Sequence, residues 1–189
     1  SGSSATETVV PLSLAFSASQ NVNSTSDAVS TTVYISTAGT LNSIQVLTQG
    51  TPNLDFAVSP AGSCATGTAF AGGQSCTVNV TFTPPAGSSG NRTATLNIAD
   101  NASGSPQAVS LTGTAQDFTI SAQPITVKAG SSGTIAVTVT GVGGFTGQVT
   151  LTCSGTIPQG SCAGPGSAVT APGTGNVTVT THGLLAPPP

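Results

Sequence analysis

The side chains that could do chemistry in this chain are few and are far apart in the sequence. The charged and imidazole groups are Glu7, Asp27, Asp55, Asp100, Asp117, Arg92, Lys128 and His182. Acid–base catalysis requires several such groups to converge on one site. One histidine and five dispersed carboxylates predict no catalytic, cofactor or metal site, and we therefore expect a protein that is not an enzyme.

The carboxylates have simpler predicted roles. Asp27 and Asp100 lie in segments rich in turn residues, where an Asp side chain commonly accepts a hydrogen bond from the turn backbone. Asp100 and Asn101 could also bind calcium, but the pair offers too few charged ligands for tight binding. With so few ionisable groups, we expect stability to vary weakly between about pH 4 and pH 9.

The four cysteines fall in two close pairs, Cys64/Cys76 and Cys153/Cys162. An even count of locally paired cysteines in a chain poor in charge favours two disulfides and an exported protein. Each bridge is expected to stabilise the fold by roughly 2–3 kcal/mol. Buried free thiols remain an alternative, whereas zinc is disfavoured because neither pair has CxxC spacing.

The composition excludes several classes of protein. Only 4% of the residues are charged, whereas Ser and Thr together make up about three residues in ten. Two basic residues cannot supply the positive surface that nucleic-acid binding requires. No run of about 20 apolar residues is present, so membrane insertion is not expected. The predicted surface is rich in hydroxyl groups and is compatible with O-linked sugars.

Alternation of apolar and polar residues dominates the chain and predicts an all-β protein. In the first half, short alternating segments are separated by breaks such as TPPAGSSGN and NASGSP, a pattern typical of a β-sandwich. The segment DNASGSPQAVSLTGTA (100–115) is predicted to contain the hairpin between the last two strands of that sandwich. GVGGFTG (141–147) is interpreted as a second hairpin turn.

The alternating pattern restarts after the junction TGTAQD (112–117), and two tandem immunoglobulin-like β-sandwich domains are therefore predicted. Their bounds are 11–115 and 116–181, with an N-terminal extension at 1–10 and a Pro-rich tail at 182–189. The inward-facing residues are predicted to include Leu12, Leu14, Phe16, Leu54, Phe56, Val58, Cys76, Val78, Val80, Phe82, Leu96, Ile98, Val109, Leu111, Phe118, Ile120, Ile125, Val137, Val139, Val149 and Val169.

A family resemblance adds to this interpretation. CTVNVTFTPPAGSSGNRTATLNIADNASGSPQAVSLTGTA (76–115) resembles the end of the Hydin-type (ASH-like) immunoglobulin repeats of secreted bacterial proteins, often labelled choice-of-anchor D. DFTISAQPITVKAGSSGTIAVTVTGVGGFTGQVTLTCSG resembles another bacterial immunoglobulin-like repeat that is often found after it. The resemblance implies extracellular architectural modules without a family active site.

The remaining hypothesis concerns assembly. The second domain is shorter than the roughly 100 residues of an immunoglobulin-like sandwich, which predicts an incomplete sheet edge. Such edges are normally protected by charge, and this chain has little. Ala5, Thr6, Glu7, Thr8, Val9 and Val10 form a candidate donor strand that would complete a neighbouring copy. The alternatives are a frayed terminus or the first strand of the same domain.

These observations predict a structural subunit of an extracellular bacterial filament or surface assembly, stabilised by disulfides. Its partners would be other copies of itself, and head-to-tail strand addition would be the route to a polymer. The alternative is an adhesive or binding module of a larger secreted or cell-surface protein. The absence of Trp and the single Tyr34 favour the structural hypothesis over sugar binding.

Overall fold

The computed structural model of the chain describes residues 7–102, 104–154 and 156–183. Every regular element within these ranges is a β-strand, and none is a helix. The described residues accordingly include no helix long and apolar enough to cross a membrane. The chain divides into two compact units between Gln116 and Asp117, which is within the junction 112–117 and one residue from the predicted domain bound. Of the predicted tail at 182–189, residues 184–189 lie outside the described residues.

The first unit contains two sheets. Its strands are β1 (Glu7–Val10), β2 (Ser13–Asn21), β3 (Val29–Ile35), β4 (Gly39–Thr48), β5 (Thr51–Pro52), β6 (Phe56–Ser59), β7 (Ala69–Phe70), β8 (Gln74–Phe82), β9 (Gly90–Asp100) and the first part of β10 (Gln107–Ala122). One sheet has the antiparallel order β1-β3-β8-β6. In the other, β10 pairs with β9 and with β2, and β9 continues to β4 and β5. The β2–β10 pair is parallel.

The core of the first unit contains the inward-facing residues of both sheets, which is the arrangement of a β-sandwich. Alternation explains the pattern, because successive side chains of a strand point to opposite faces. On β8, the four alternate residues Cys76, Val78, Val80 and Phe82 are all buried. The rings of Phe16, Phe56 and Phe82 pack together, and the closest pair has centroids 4.5 Å apart.

The hairpin predicted within 100–115 is present. β9 and β10 pair antiparallel on either side of the turn, with Gln107 opposite Ile98. Along β10 the buried residues are Val109, Leu111, Gly113 and Ala115. Gly113 interrupts this apolar series because the ring of Phe82 packs directly over it: a Cβ atom at this position would lie 2.8 Å from Phe82 Cε1.

The second unit has a smaller core. Its strands are the end of β10, β11 (Ser132–Val142), β12 (Gln148–Val149), β13 (Gly160–Ala163), β14 (Val169–Thr170) and β15 (Gly173–Thr181). Asp117–Ala122 of β10 pairs with β11, which continues to β15 and β13, while β12 pairs with β14. The core residues Val139, Val149, Val169 and Ala171 are covered by Phe118, Phe145 and Leu151.

Several predicted inward positions are wrong. Leu12 is 58% exposed because it lies between β1 and β2, and Ile120 is 53% exposed. Leu54, Val58 and Ile125 are exposed as well. Residues 141–147 do turn the chain, with Phe145 N donating to Val142 O. The strands that flank this turn are not paired as a hairpin, because β12 pairs with β14 instead.

Candidate functional site

A pair of carboxyl groups meets at one end of the first unit. Glu7 is the first residue of β1, and Asp100 is the last residue of β9. Both line a pocket of about 240 Å³, part of which is open solvent. The other lining residues are Ile35, Thr37, Gly39, Thr40 and Leu41. Among the described residues that line this pocket, Asp100 is the only titratable group besides Glu7.

Strand alternation explains how Glu7 reaches the pocket. Glu7 has the same parity as Val9, whose side chain is 3% exposed in the core. Asp100 has the same parity as Leu96 and Ile98, which are fully buried. Glu7 is opposite Ile35, and Asp100 is opposite Leu41. Ile35 and Leu41 line the same pocket, so the ends of β1 and β9 meet there although the two strands belong to different sheets. Each carboxylate is thus the last inward-facing position of an otherwise apolar series.

The environment of Glu7 disfavours its charged form. Both carboxylate oxygens are shielded from water and have no hydrogen-bond donor among the described residues. Burial, which contributes most, together with hydrogen bonding to Asp100 and repulsion by the Asp100 charge, raises the pKa of Glu7 from 4.5 to about 7. A proton on Glu7 supplies the missing donor to Asp100. The two carboxyl groups therefore share a proton in acid. In base, two negative charges face each other without a cation among the residues that line the pocket.

Asp100 also has the turn role predicted from the sequence. Its Oδ1 accepts a hydrogen bond from Ala102 N at 3.0 Å. The neighbouring Asn101 Oδ1 accepts from Thr40 N at 3.1 Å, so this oxygen already has a protein donor. Asp100 thus holds the turn, and Asn101 links the turn to β4. The described residues contain no group of three or more His, Cys, Asp and Glu side chains that could hold a metal ion.

The candidate donor strand lies in its own unit in this single chain. Ala5 and Thr6 are outside the described residues, whereas Glu7–Val10 forms β1 and pairs antiparallel with β3. Val9 is buried opposite Val33, while Thr8 and Val10 face solvent. This is the alternative in which the segment is the first strand of the same domain. It also places 7–10 inside the first unit and not in a separate extension.

The four cysteines are joined as Cys64–Cys76 and Cys153–Cys162, the two local pairs that the spacing predicts. The Cα atoms are 4.9 Å apart in the first pair and 6.0 Å apart in the second. Cys76 is in the core of the first unit, and Cys64 is packed against it. In the second unit Cys153 is exposed and Cys162 is half-buried.

A second charged contact was not predicted from the sequence. Arg92, on β9, contacts the buried side chain of Asp55, which directly precedes β6. Strand alternation could have indicated that Arg92 points inward, because it has the same parity as the buried residues Ala94 and Leu96. Asp117 accepts a hydrogen bond from Phe118 N. Asp27, Lys128 and His182 are exposed.

Comparison with known proteins identifies no family. No protein-family model and no curated protein match the chain. Among solved structures, the secreted serine protease VesC from Vibrio cholerae is similar over 90% of this chain, with 14% identity and a TM-score of 0.40. This chain spans 45% of the protease chain. A protein of unknown function from Porphyromonas gingivalis W83 is similar over 93% of this chain and 83% of its own, with 9% identity and a TM-score of 0.34.

The comparison corrects one expectation. The prediction that the chain is not an enzyme is contradicted, because a structural neighbour that is similar over 90% of this chain is a secreted serine protease. Both TM-scores are below 0.5, so neither likeness carries an argument about the activity of this chain.

Proposed function

We propose that this chain is a structural building block of an extracellular bacterial filament or surface assembly, made of two immunoglobulin-like β-sandwich domains. The partners in such an assembly are other copies of the chain. The observation that carries the proposal is the lack of charge on three of the four described strands that end the two larger sheets. β5, β6 and β13 contain no charged residue, whereas the fourth, β1, contains Glu7, whose side chain lines the pocket with Asp100.

An uncharged edge matters because its free N–H and C=O groups can pair with a strand of another copy. Proteins that remain monomeric usually place Lys or another charge on such strands. The faces next to β13 are also neutral. On the exposed side of the β11–β15 pair, Thr134 lies opposite Thr178 and Thr138 lies opposite Thr174. Only 4% of the residues are charged, so few like charges can face each other between copies.

Two further observations support an extracellular location. Both units contain a disulfide, and such bonds persist in oxidising compartments. The exposed threonines would also accept O-linked sugars, which would hydrate a surface that lacks ionic groups. The resemblance of 76–115 to Hydin-type repeats of secreted proteins agrees with an extracellular location.

An adhesive module is the second candidate, and one surface feature favours it. Tyr34 is 52% exposed and Val10 is 51% exposed on the outer face of β1 and β3. Thr8 is opposite Tyr34 and Val10 is opposite Thr32, so Tyr34 and Val10 are diagonal neighbours across the strand pair. They would provide a small apolar contact for another protein.

Electron microscopy of the purified full chain in negative stain tests the main proposal. We expect regular filaments or sheets, and we expect Ser161→Lys on the β13 edge to abolish them. Ser24→Lys, at an exposed loop position outside the sheet edges, is the control for added charge. A chain that remains a monodisperse monomer at high concentration contradicts the proposal and favours the adhesive module.

A further inference from the structure

β1 is held by few interactions. It contains four residues, pairs with β3 along one edge, and buries one apolar side chain deeply, that of Val9. Only Pro11 and Leu12 separate it from β2, which belongs to the other sheet and pairs with β10. Thr31 Oγ1 donates a hydrogen bond to Pro11 O at 2.8 Å. Detachment of residues 7–10 up to this anchor would therefore leave the pairing of β2 with β10 unchanged.

The site that β1 would vacate is specific. Removal of β1 would expose the edge of β3 and the side chains of Val33 and Ile35, which are 0% and 7% exposed when β1 is present. A β-strand edge binds another strand through main-chain hydrogen bonds, and pockets for alternate side chains select its sequence. The segment known to fit is Glu7–Val10 itself, since it places Val9 opposite Val33 and Glu7 at the pocket with Asp100. A second copy of the chain carries the same segment.

We infer that β1 is an exchangeable strand that docks on β3 of its own chain or of a second copy, and that the Glu7–Asp100 carboxyl pair controls its release. This inference rests on the proposed assembly function and adds a mechanism to it. Exchange of an identical element between copies has a low thermodynamic cost, because every contact of the closed chain is formed again in the exchanged one.

The carboxyl pair acts on the rate of release. When Glu7 is protonated, it donates to Asp100 and β1 is retained. When both groups are ionised, their charges face each other in a pocket whose other contributors are uncharged: Ile35 of β3, Thr37, and Gly39, Thr40 and Leu41. No described cation faces Glu7 from β3, β4 or β9 in this pocket. Because both docked forms use the same pair, base accelerates exchange and acid retains whichever arrangement has formed.

Cysteine cross-linking measures the exchange directly. Val10 and Thr32 are opposite each other in the β1–β3 register. A chain with Val10→Cys is mixed with a chain with Thr32→Cys, held at pH 8.5 or pH 5, and then oxidised briefly at one common pH. A disulfide that peptide mapping places between position 10 of one copy and position 32 of the other reports that β1 of the first lies on β3 of the second; mapping also separates it from thiol exchange with the exposed Cys153–Cys162 bridge. We expect it to appear at least about tenfold faster after incubation at pH 8.5.

Three controls make the result decisive. Thr112→Cys, at an exposed position on β10, replaces Thr32→Cys and should give no dimer with Val10→Cys. Glu7→Gln in both chains retains a donor to Asp100 and should make exchange slow at both pH values. The single chain with both Val10→Cys and Thr32→Cys should close its own bridge, which verifies that the register is correct and that the variants fold.

The outcomes separate this inference from the proposed function. If the double-cysteine chain closes its bridge but the mixture forms no dimer at either pH, β1 does not exchange. If exchange is equally fast at both pH values, Glu7 does not control it. If the bridged chain still forms filaments, this inference fails while the filament proposal stands. Exchange into closed dimers without filaments supports this inference and counts against the filament.

Discussion

Arg92 contacts one oxygen of the buried Asp55 carboxylate through two of its nitrogens. Nε donates to Oδ2 at 2.8 Å, and Nη2 is 2.7 Å from the same atom. Asp55 is 2% exposed, and its Oδ1 has no hydrogen-bond partner among the described residues. The contact connects the start of β6 with β9, so it joins the two sheets of the first unit.

Removal of this arginine should destabilise the first unit strongly. Arg92→Gln leaves the Asp55 charge buried without its partner, and we expect the free energy of unfolding to fall by about 3 kcal/mol. Urea denaturation followed by circular dichroism measures the change. Lys128→Gln, which removes an exposed cation, should alter it by no more than about 0.5 kcal/mol. Equal stability of the two variants would show that the ion pair contributes nothing.

The Glu7–Asp100 pair should make the stability of the first unit depend on pH. Because the pKa of Glu7 is about 7 in the folded chain and 4.5 when unperturbed, the folded state binds more protons between these values. Stability is therefore highest below about pH 4.5, falls as pH rises toward 7, and is level above that. Since Glu7 is partly exposed, we expect a loss of about 1–2 kcal/mol.

Thermal or urea unfolding across pH 4–8 tests this dependence. Glu7→Gln should remove the slope, whereas Asp27→Asn at an exposed loop position should leave it unchanged. A slope that persists in Glu7→Gln would assign the proton uptake to another group. A change of about 1–2 kcal/mol is a specific case of the weak pH dependence expected from composition, which stays a prediction.

Gly113 is required by its contact with Phe82. A Cβ atom there would lie 2.8–3.1 Å from three ring carbons, so Gly113→Ala must displace the ring within a close-packed core. We expect a loss of about 1–3 kcal/mol in unfolding experiments. Thr112→Ala, the exposed neighbouring position, is the matched control. The double variant Gly113→Ala/Phe82→Leu should recover part of the loss, and a single variant as stable as the control would contradict the argument.

The two disulfides should differ in their access to reductant. A thiolate must reach a sulfur atom to exchange with it. Cys153 is exposed, whereas Cys76 is 4% exposed in the core of the first unit. Under brief treatment with dithiothreitol, alkylation and peptide mapping should find Cys153 and Cys162 labelled well before Cys64 and Cys76. The reverse order would mean that the first unit opens more readily than the second.

The predictions from sequence succeeded where one strand could be considered by itself. Alternation on β8 and β10 identified Cys76, Val80, Val109 and Leu111 as inward-facing, and all four are buried. The turn residues between Asp100 and Gln107 predicted the β9–β10 hairpin, because Asn, Gly and Pro favour a chain reversal. Leu12 was missed because it lies between two strands that belong to different sheets, where alternation no longer applies.

The sequence by itself determined the strand content, the two-part division, the local pairing of the cysteines and a surface dominated by hydroxyl groups. These features depend on composition and on neighbours a few residues apart. Only the tertiary structure decided that Glu7 meets Asp100, that Asp55 meets Arg92, and that β1 lies on β3. Alternation places each of these side chains on a face, but the partner across that face depends on sheet order and register. Both are set by packing of the whole core, between residues distant in the chain.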